Sequence, residues 1–264
     1  MSSPLGALGR ATLNSLAESG RLWQLTARTL HRAVIGPWQG QRFRLRLTLQ
    51  QVIRAGNQSL SLVALLAFLV GMILALQSAY QLGQLGVLRL VADLVAVSVT
   101  RELAPLLTAI LVAGRVGSAI AAELGTMRVS QEIDALTVMG IDPVSFLVVP
   151  RICGLLLALP CLTVLADLVG ILGGFAVAAT VLGLSPSAYL SDSLDALALQ
   201  DLWGGLLKAV AFALIIGLIG CQRGLETRGG AEGVGRSTTA AVVHAIVLII
   251  AADLFVTALL YVSR

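Results

Sequence analysis

Charged residues are scarce in this sequence. Only 12% of its 264 residues are charged, and Lys208 is its single lysine. An ordinary soluble domain carries about 25% charged residues. With 57% hydrophobic residues and a mean hydropathy of +0.92, this deficit indicates a membrane protein. The net charge of +4 does not indicate nucleic-acid binding, because membrane topology explains where the arginines lie.

Residue types that build catalytic and metal sites are also rare. The two histidines, His31 and His244, and the three cysteines, Cys153, Cys161 and Cys221, lack metal-ligand spacing. The sequence contains no GxxxxGK[ST] phosphate-binding loop, no HExxH zinc motif and no GxSxG nucleophile motif. We therefore expect no catalytic residue, no metal site and no cofactor bound by this chain. Any energy source must lie on another chain.

Five long apolar segments dominate the chain: 59–79, 91–122, 145–182, 202–221 and 238–262. Each can cross a hydrocarbon core about 30 Å thick, since one crossing takes about 20 residues. The sequence thus predicts an all-α, polytopic membrane protein whose residues 38–264 form one domain of about five spans. The second and third segments exceed one crossing and should tilt or bend, most readily at Pro105 and Pro160. A six-span alternative divides the third segment at residues 170–174.

Arginines are distributed asymmetrically. Eight of the 18 basic residues precede the first span, and the loops after spans two and four hold five more: Arg128, Arg151, Arg223, Arg228 and Arg236. The stretch 183–201 instead contains Asp192, Asp195 and Asp201 and no basic residue. Because cytoplasmic loops are enriched in Lys and Arg, we expect a cytoplasmic N-terminus and an external C-terminus.

Residues 1–37 are predicted to form an N-terminal amphipathic helix. Apolar residues recur there at steps of three and four positions, and the arginines between them project elsewhere. This pattern is typical of a helix lying on an anionic inner leaflet. Gly36-Pro37 would end it. The segment lacks the apolar run of a cleavable signal peptide, and an Arg-rich organelle transit peptide is the alternative.

Two charged residues interrupt the second span. Arg101 and Glu102 lie deep in an apolar segment, where each would cost about 2.5–3.5 kcal/mol facing lipid. They must therefore face protein, water or a polar ligand. Neighbours on a helix point about 100° apart, so the two need not pair with each other. Pairing with other helices and lining a substrate pathway both remain open.

Other intramembrane polar residues are explained by helix packing. Asp167, His244 and Asp253 are expected to form interhelical hydrogen bonds rather than a proton relay. Small residues at every fourth position of the second span are expected to let another helix approach closely: Ala113, Gly117, Ala121 and Gly125.

A short helix is predicted between the second and third spans. Ser130 is the expected N-cap, Glu132 and Asp134 suit the first turn, and Gly140 and Pro143 should end the helix. Ile133 and Leu136, with Met139 or Gly140, would share one face. The segment is either a simple interfacial turn or a coupling helix that docks into a groove on a soluble ATPase.

The most specific signal is the segment 101–136, which reads RELAPLLTAILVAGRVGSAIAAELGTMRVSQEIDAL. It continues as MGIDP at 139–143 and PR at 150–151, with GVGR at 233–236 and VVH at 242–244 near the last span. These motifs closely resemble the MlaE family of permeases, over most of the chain from about residue 50 onward. The N-terminal 45 residues match that family only in character.

The resemblance implies the permease of an ABC-type phospholipid transporter in the bacterial inner membrane, maintaining outer-membrane lipid asymmetry. Its expected partners are a second copy of the chain, a cytoplasmic ABC ATPase that binds ATP and Mg, and a periplasmic MCE-domain lipid-binding protein. A small STAS-domain cytoplasmic subunit is a further candidate. A stand-alone ion-coupled secondary transporter or channel is the alternative, and the missing motifs disfavour a lipid-modifying enzyme.

The resemblance also implies site residues. Arg101, Glu102 and Lys208 would line a central lipid pocket. Lys208 lies about one turn inside the boundary marked by Trp203, so snorkelling to the interface is the alternative for its side chain. The residues implied to contact the ATPase are Glu132, Ile133, Asp134 and Leu136.

Overall fold

The computed structural model describes residues 20, 23–29, 31, 32 and 45–262, and no strand occurs among them. In chain order the helices from residue 45 onward are α1 (Leu45–Gln84), α2 (Leu90–Val129), α3 (Glu132–Val138), α4 (Val144–Thr180), α5 (Pro186–Ala196), α6 (Leu199–Leu225) and α7 (Gly230–Val262). Five of these helices, α1, α2, α4, α6 and α7, are long and apolar enough to span a membrane. Over the described residues this confirms the predicted all-α, polytopic architecture with five spans. Short helices α3 and α5 connect opposite ends of α4 and therefore mark the two ends of the bundle.

Helix α1 begins well before the predicted first span, which was expected from residue 59. Its extension packs on α4 at Gly154, where a Cβ atom would lie 2.6 Å from the Gln51 Cβ. Of the predicted N-terminal helix, residues 20, 23–29, 31 and 32 are described and helical. The rest of that helix, including its predicted end at Gly36-Pro37, lies outside the described residues.

Glycines bring α1 and α4 into backbone contact. A Cβ atom at Gly71 would lie 1.9 Å from the Gly170 carbonyl oxygen, and one at Gly173 would lie 2.1 Å from the Phe68 carbonyl oxygen. Helix α4 continues through these glycines and through Pro160. The six-span alternative is therefore wrong, because the glycines at 170–174 serve close packing and do not interrupt the helix.

Helix α2 packs on α6 through its small residues. A Cβ atom at Gly224 would lie 2.6 Å from the Leu124 Cβ and 3.0 Å from the Ala121 carbonyl oxygen. Likewise, a Cβ atom at Gly220 would lie 3.1 Å from the Gly117 carbonyl oxygen. The predicted role of the small-residue stripe in helix packing is confirmed.

The turn between α2 and α3 differs from the prediction at Ser130. Helix α2 runs to Val129, and Gln131, with a left-handed φ of 62°, precedes α3. The Ser130 hydroxyl donates to the Glu132 carboxylate at 2.8 Å instead of accepting from an amide of α3. Ser130 as the N-cap is therefore wrong. Gly140, with a φ of 75°, follows the end of α3 as predicted.

Candidate functional site

Charged side chains from three spans meet towards the α5 end of the bundle. The Lys208 ammonium on α6 forms an ion pair with Glu102 on α2 and lies 3.0 Å from an Asp253 carboxylate oxygen on α7. The Thr257 hydroxyl donates to Glu102 at 3.2 Å. The Lys208 side chain is only 2% exposed, which excludes snorkelling. Lys208 thus joins α2, α6 and α7.

Pro105 explains one further contact of Lys208. Proline has no amide hydrogen, so Pro105 cannot donate to the Arg101 carbonyl four residues earlier. The helix widens into a π turn at Val99–Leu103, immediately before this point. The Lys208 ammonium donates to the Arg101 carbonyl oxygen at 3.1 Å. A sequence feature expected to bend the span therefore also supplies an acceptor for the buried lysine.

Arg101 has a separate partner on α6. Its guanidinium lies 3.5 Å from the carboxylate of Asp201, which is almost completely buried in the first turn of α6. A second Asp201 oxygen accepts from the Ala198 amide at 3.3 Å, which fixes the carboxylate at the helix start. Arg101 and Glu102 thus pair with other helices, as one of the two predicted explanations requires.

Arg101 and Glu102 also border a cavity. Pairing with other helices and lining a cavity are therefore compatible. The cavity has a volume of about 560 Å³, within the range of ligand pockets. Its lining consists of Arg101, Glu102, Leu199, Gln200, Asp201, Trp203, Gly204, Gly205, Leu207, Lys208, Thr257 and Leu260. All three pocket residues implied by the resemblance are therefore brought to one cavity between α2, α6 and α7.

Gly205 makes this arrangement possible. A Cβ atom there would lie 2.5 Å from the Thr100 carbonyl oxygen, so only glycine lets α6 approach α2 this closely. One turn along α6, Lys208 then reaches Glu102. Helix packing also explains why two particular ion pairs were not predicted: Asp201 meets Arg101, and Asp253 meets Lys208, only because helices distant in sequence pack together.

Two of the charges remain accessible from the cavity. The Arg101 side chain is 31% exposed and Glu102 is 37% exposed, whereas Lys208 and Asp201 are buried. Leucines supply apolar wall beside them. The cavity therefore offers one accessible positive charge and one accessible negative charge next to apolar surface.

Asp167, His244 and Asp253, which were expected to form hydrogen bonds between helices, differ from one another in their contacts. Asp253 does contact a neighbouring helix, through its ion pair with Lys208. The prediction is wrong for His244, whose Nδ1 lies 2.6 Å from the Ala240 carbonyl oxygen of its own helix. Asp167 is buried in α4, and its Oδ1 has no hydrogen-bond partner in the part of the chain that the structure describes.

Helix α3 divides its predicted coupling residues between two faces. Ile133 is buried, and Leu136 packs beside it on the bundle core. Glu132 and Asp134 are exposed, and Asp134 accepts from the Arg128 guanidinium at 2.5 Å.

Two further apolar residues follow at the end of α3. Val138 is 88% exposed and Met139 is 64% exposed. The predicted face shared by Ile133, Leu136 and Met139 is wrong for Met139, because α3 ends at Val138. The exposed apolar surface at the end of α3 thus comes from Val138 and Met139, and neither was among the predicted ATPase contacts.

These features define a class of protein. The chain is a polytopic helical membrane protein with a charged, ligand-sized cavity inside its spans and a short helix presented at the opposite end. This is the arrangement of a membrane transporter.

Comparison with known proteins gives the family. The family described as Permease MlaE matches residues 48–259. A probable ABC transporter permease protein of Rickettsia typhi is 40% identical over 217 residues, which cover 82% of this chain and 84% of the relative. A probable ABC transporter permease protein of Synechocystis sp. is 40% identical over 220 residues, covering 83% of this chain and 84% of the relative. The chloroplastic protein TRIGALACTOSYLDIACYLGLYCEROL 1 of Arabidopsis thaliana is 42% identical over 208 residues, covering 79% of this chain and 59% of the relative. The chain belongs to the MlaE permease family and is a transporter permease.

Proposed function

We propose that this permease is the membrane-spanning subunit of an ATP-driven ABC transporter that moves phospholipid. The observation that carries the proposal is the cavity between α2, α6 and α7, with accessible charges of both signs beside apolar walls. A phospholipid has the same two parts, a charged headgroup and apolar chains.

The accessible charges suit a zwitterionic headgroup. The Arg101 guanidinium can bind a phosphate through two parallel hydrogen bonds. The Glu102 carboxylate can accept an ammonium group beside it. Lys208 keeps Glu102 in place, and leucines such as Leu207 and Leu260 contact the acyl chains.

The relatives support both the energy source and the substrate class. Two of them are named as probable ABC transporter permease proteins, which fits an ATPase on a separate chain that binds ATP and Mg. The name of the Arabidopsis relative contains that of a glycerolipid. We therefore assign ATP hydrolysis to a cytoplasmic partner and lipid binding to this chain.

The orientation follows from the arginines. Arg54, Arg128, Arg151 and Arg228 lie towards the α3 end of the bundle. Because cytoplasmic loops are enriched in arginine, this distribution supports a cytoplasmic side for α3 and the N-terminus. The α5 end then faces the periplasm of a bacterial cell, with the permease in the inner membrane. There an MCE-domain protein would exchange lipid with the cavity, and a STAS-domain subunit would join the ATPase on the cytoplasmic side.

Helix α7 supports a homodimer. It buries the smallest share of its apolar stretch among the five spans. Its outward face is therefore available to a second copy, and two copies would enclose the charged cavities within one assembly.

Reversing the charge of Arg101 is expected to weaken lipid transfer. A hydrogen bond to a charged group contributes about 1.5–3 kcal/mol, so Arg101→Glu should slow transfer about ten- to a hundredfold. The measurement is ATP-driven transfer of a fluorescent phospholipid from proteoliposomes that contain the permease and its ATPase. Arg89→Glu is the matched control, because Arg89 is exposed near the same end of α2 and does not line the cavity. Equal transfer by both variants would remove Arg101 from the lipid site.

A negative charge at the exposed end of α3 is expected to detach the ATPase. We assign the ATPase contact to the exposed residues Glu132, Asp134, Val138 and Met139. Ile133 and Leu136 hold α3 on the bundle through their packing against the core.

A carboxylate at the centre of such an interface typically costs about 2 kcal/mol or more, so Val138→Glu should weaken association about thirtyfold. Co-purification of the ATPase with the tagged permease measures this. Val181→Glu is the control, because Val181 is a similarly exposed valine at the α5 end. Full ATPase recovery with Val138→Glu would contradict a coupling role for α3.

A stand-alone ion-coupled transporter or channel is the competing function. The buried Asp167, whose Oδ1 has no partner among the described residues, is the feature that favours it. The purified chain in liposomes distinguishes the two: transport driven by an ion gradient without an ATPase supports the competitor, and dependence on ATP and a second chain supports the proposal.

A further inference from the structure

Glu123 lies between two arginines near the α3 end of the bundle. One oxygen of its carboxylate pairs with the Arg54 guanidinium of α1. The other lies 3.1 Å from Arg151 Nη2 of α4. Each oxygen therefore serves a different helix, and Glu123 joins α1, α2 and α4 at one point.

The pair with Arg151 closes the segment that carries α3. Glu123 precedes α3 and Arg151 follows it, 28 residues further along the chain. Arg151 is itself fixed, since its side chain is 10% exposed and its Nη1 donates to the Leu147 carbonyl oxygen at 2.8 Å. The two ends of the α3 segment are thus held together by an ion pair whose arginine is nearly buried.

The pair with Arg54 extends this connection to α1. Helices α1 and α4 are already in close contact beside it, at Gly154 and Gln51. A force applied to α3 would therefore reach α1 and α4 through Glu123 as well as pulling directly on α2.

Helix α2 continues from Glu123 to the charged cavity. Glu123 and Glu102 are 21 residues apart on this helix, about 30 Å along its axis. A π turn at Ala113–Gly117 lies between them. Such turns occur frequently at functional sites and leave the helix register locally adjustable.

We propose that Glu123 is a positioning residue that clamps both ends of the α3 segment to α1 and α4, so that displacement of α3 by the ATPase moves three spans together. The inference rests on the proposed function, since it assumes that α3 receives work from an ATPase. It assigns Glu123, Arg54 and Arg151 to transmission of that work and not to lipid binding.

The first test separates ATP hydrolysis from lipid transfer. Glu123→Gln keeps the shape of the side chain and removes the charge that holds two guanidinium groups. In the permease–ATPase complex we expect transfer of fluorescent phospholipid to fall about tenfold or more, with ATP hydrolysis within about twofold of the unmodified complex. Glu232→Gln is the matched control, because Glu232 pairs with Arg236 at 3.8 Å on an exposed surface towards the same end of the bundle.

The second test measures the clamp on the permease alone. Hydrogen–deuterium exchange of residues 130–143 should be about tenfold faster in Glu123→Gln and unchanged in Glu232→Gln. Arg54→Gln removes only one of the two ion pairs of Glu123 and should give an intermediate increase in the exchange rate. This variant keeps the test valid if Glu123→Gln does not fold.

Three results distinguish failure of the Glu123 clamp from failure of the proposed function. Wild-type transfer and exchange in Glu123→Gln would overturn the clamp. A parallel loss of ATP hydrolysis, transfer and thermal stability would also overturn it, because that pattern indicates a general structural role. Absence of lipid transfer by the unmodified complex would contradict the proposed function, while faster exchange in Glu123→Gln would still support the clamp.

Discussion

Replacement of Lys208 by methionine is expected to destabilise the bundle by about 3–5 kcal/mol, because it leaves the Glu102 and Asp253 carboxylates without their shared cation inside the membrane. Methionine has a similar length and an apolar end, so the loss should come from the unpaired charges and not from a cavity. Thermal unfolding in detergent measures the change, and lipid transfer should be lost with it.

A compensated variant separates stability from ligand binding. Lys208→Met combined with Glu102→Gln and Asp253→Asn removes all three charges, so most of the stability should return. Lipid transfer should stay low, because Glu102 is one of the two accessible charges of the cavity. A single Lys208→Met variant as stable as the unmodified protein would show that the buried ion pairs do not hold α2, α6 and α7 together.

Gly71→Ala is expected to disrupt the contact between α1 and α4. The new Cβ atom would lie 1.9 Å from the Gly170 carbonyl oxygen, and backbone cannot move aside as a flexible side chain can. Overpacking of this kind costs about 3 kcal/mol, even though alanine has the higher helix propensity. The expected result is a marked fall in thermal stability and in the yield of monodisperse protein.

The control for that variant lies on the same helix. Nothing lies within 4 Å of a Cβ atom at Gly56, so Gly56→Ala should leave the protein unchanged or slightly more stable. If both variants unfold at the same temperature, α1 and α4 are not packed backbone to backbone at Gly71.

The spans could be predicted because they depend on local composition. A run of about 20 apolar residues can satisfy its backbone only as a helix in a bilayer, so the sequence alone indicates five crossings. Glycines at 170–174 are ambiguous at this level, since the same residues suit a break or a close helix contact. The position of α1 against α4 decides between these, and that position is a tertiary feature.

The charged cavity was predicted only in part. Arg101, Glu102 and Lys208 were recognised through the resemblance to a family, whereas Asp201 was interpreted as a loop residue and Asp253 as a partner in helix packing. Their contacts depend on how α6 and α7 cross α2, which no short sequence pattern encodes. The accessible charges could be recognised only once burial separated Arg101 and Glu102 from Lys208.

Helix α3 shows the same division. Its end near Gly140 follows from local conformational preference, since glycine readily adopts a positive φ. Which of its residues face outward depends on how the helix packs, and this packing buries Ile133 and exposes Val138. Glu123 lies within the recognised segment, but its role depends on two arginines that are distant in sequence.

Photo-crosslinking at Leu260 tests most directly whether phospholipid occupies the charged cavity. A photoreactive residue at Leu260 should capture radiolabelled phospholipid in the purified permease after extensive detergent washing, and ATP turnover by the complex should reduce that label. A photoreactive residue at Leu168, exposed on α4 and absent from the cavity lining, should capture little label, because the wash removes loosely bound lipid before irradiation. Equal labelling at both positions, unaffected by ATP, would contradict a lipid site between α2, α6 and α7.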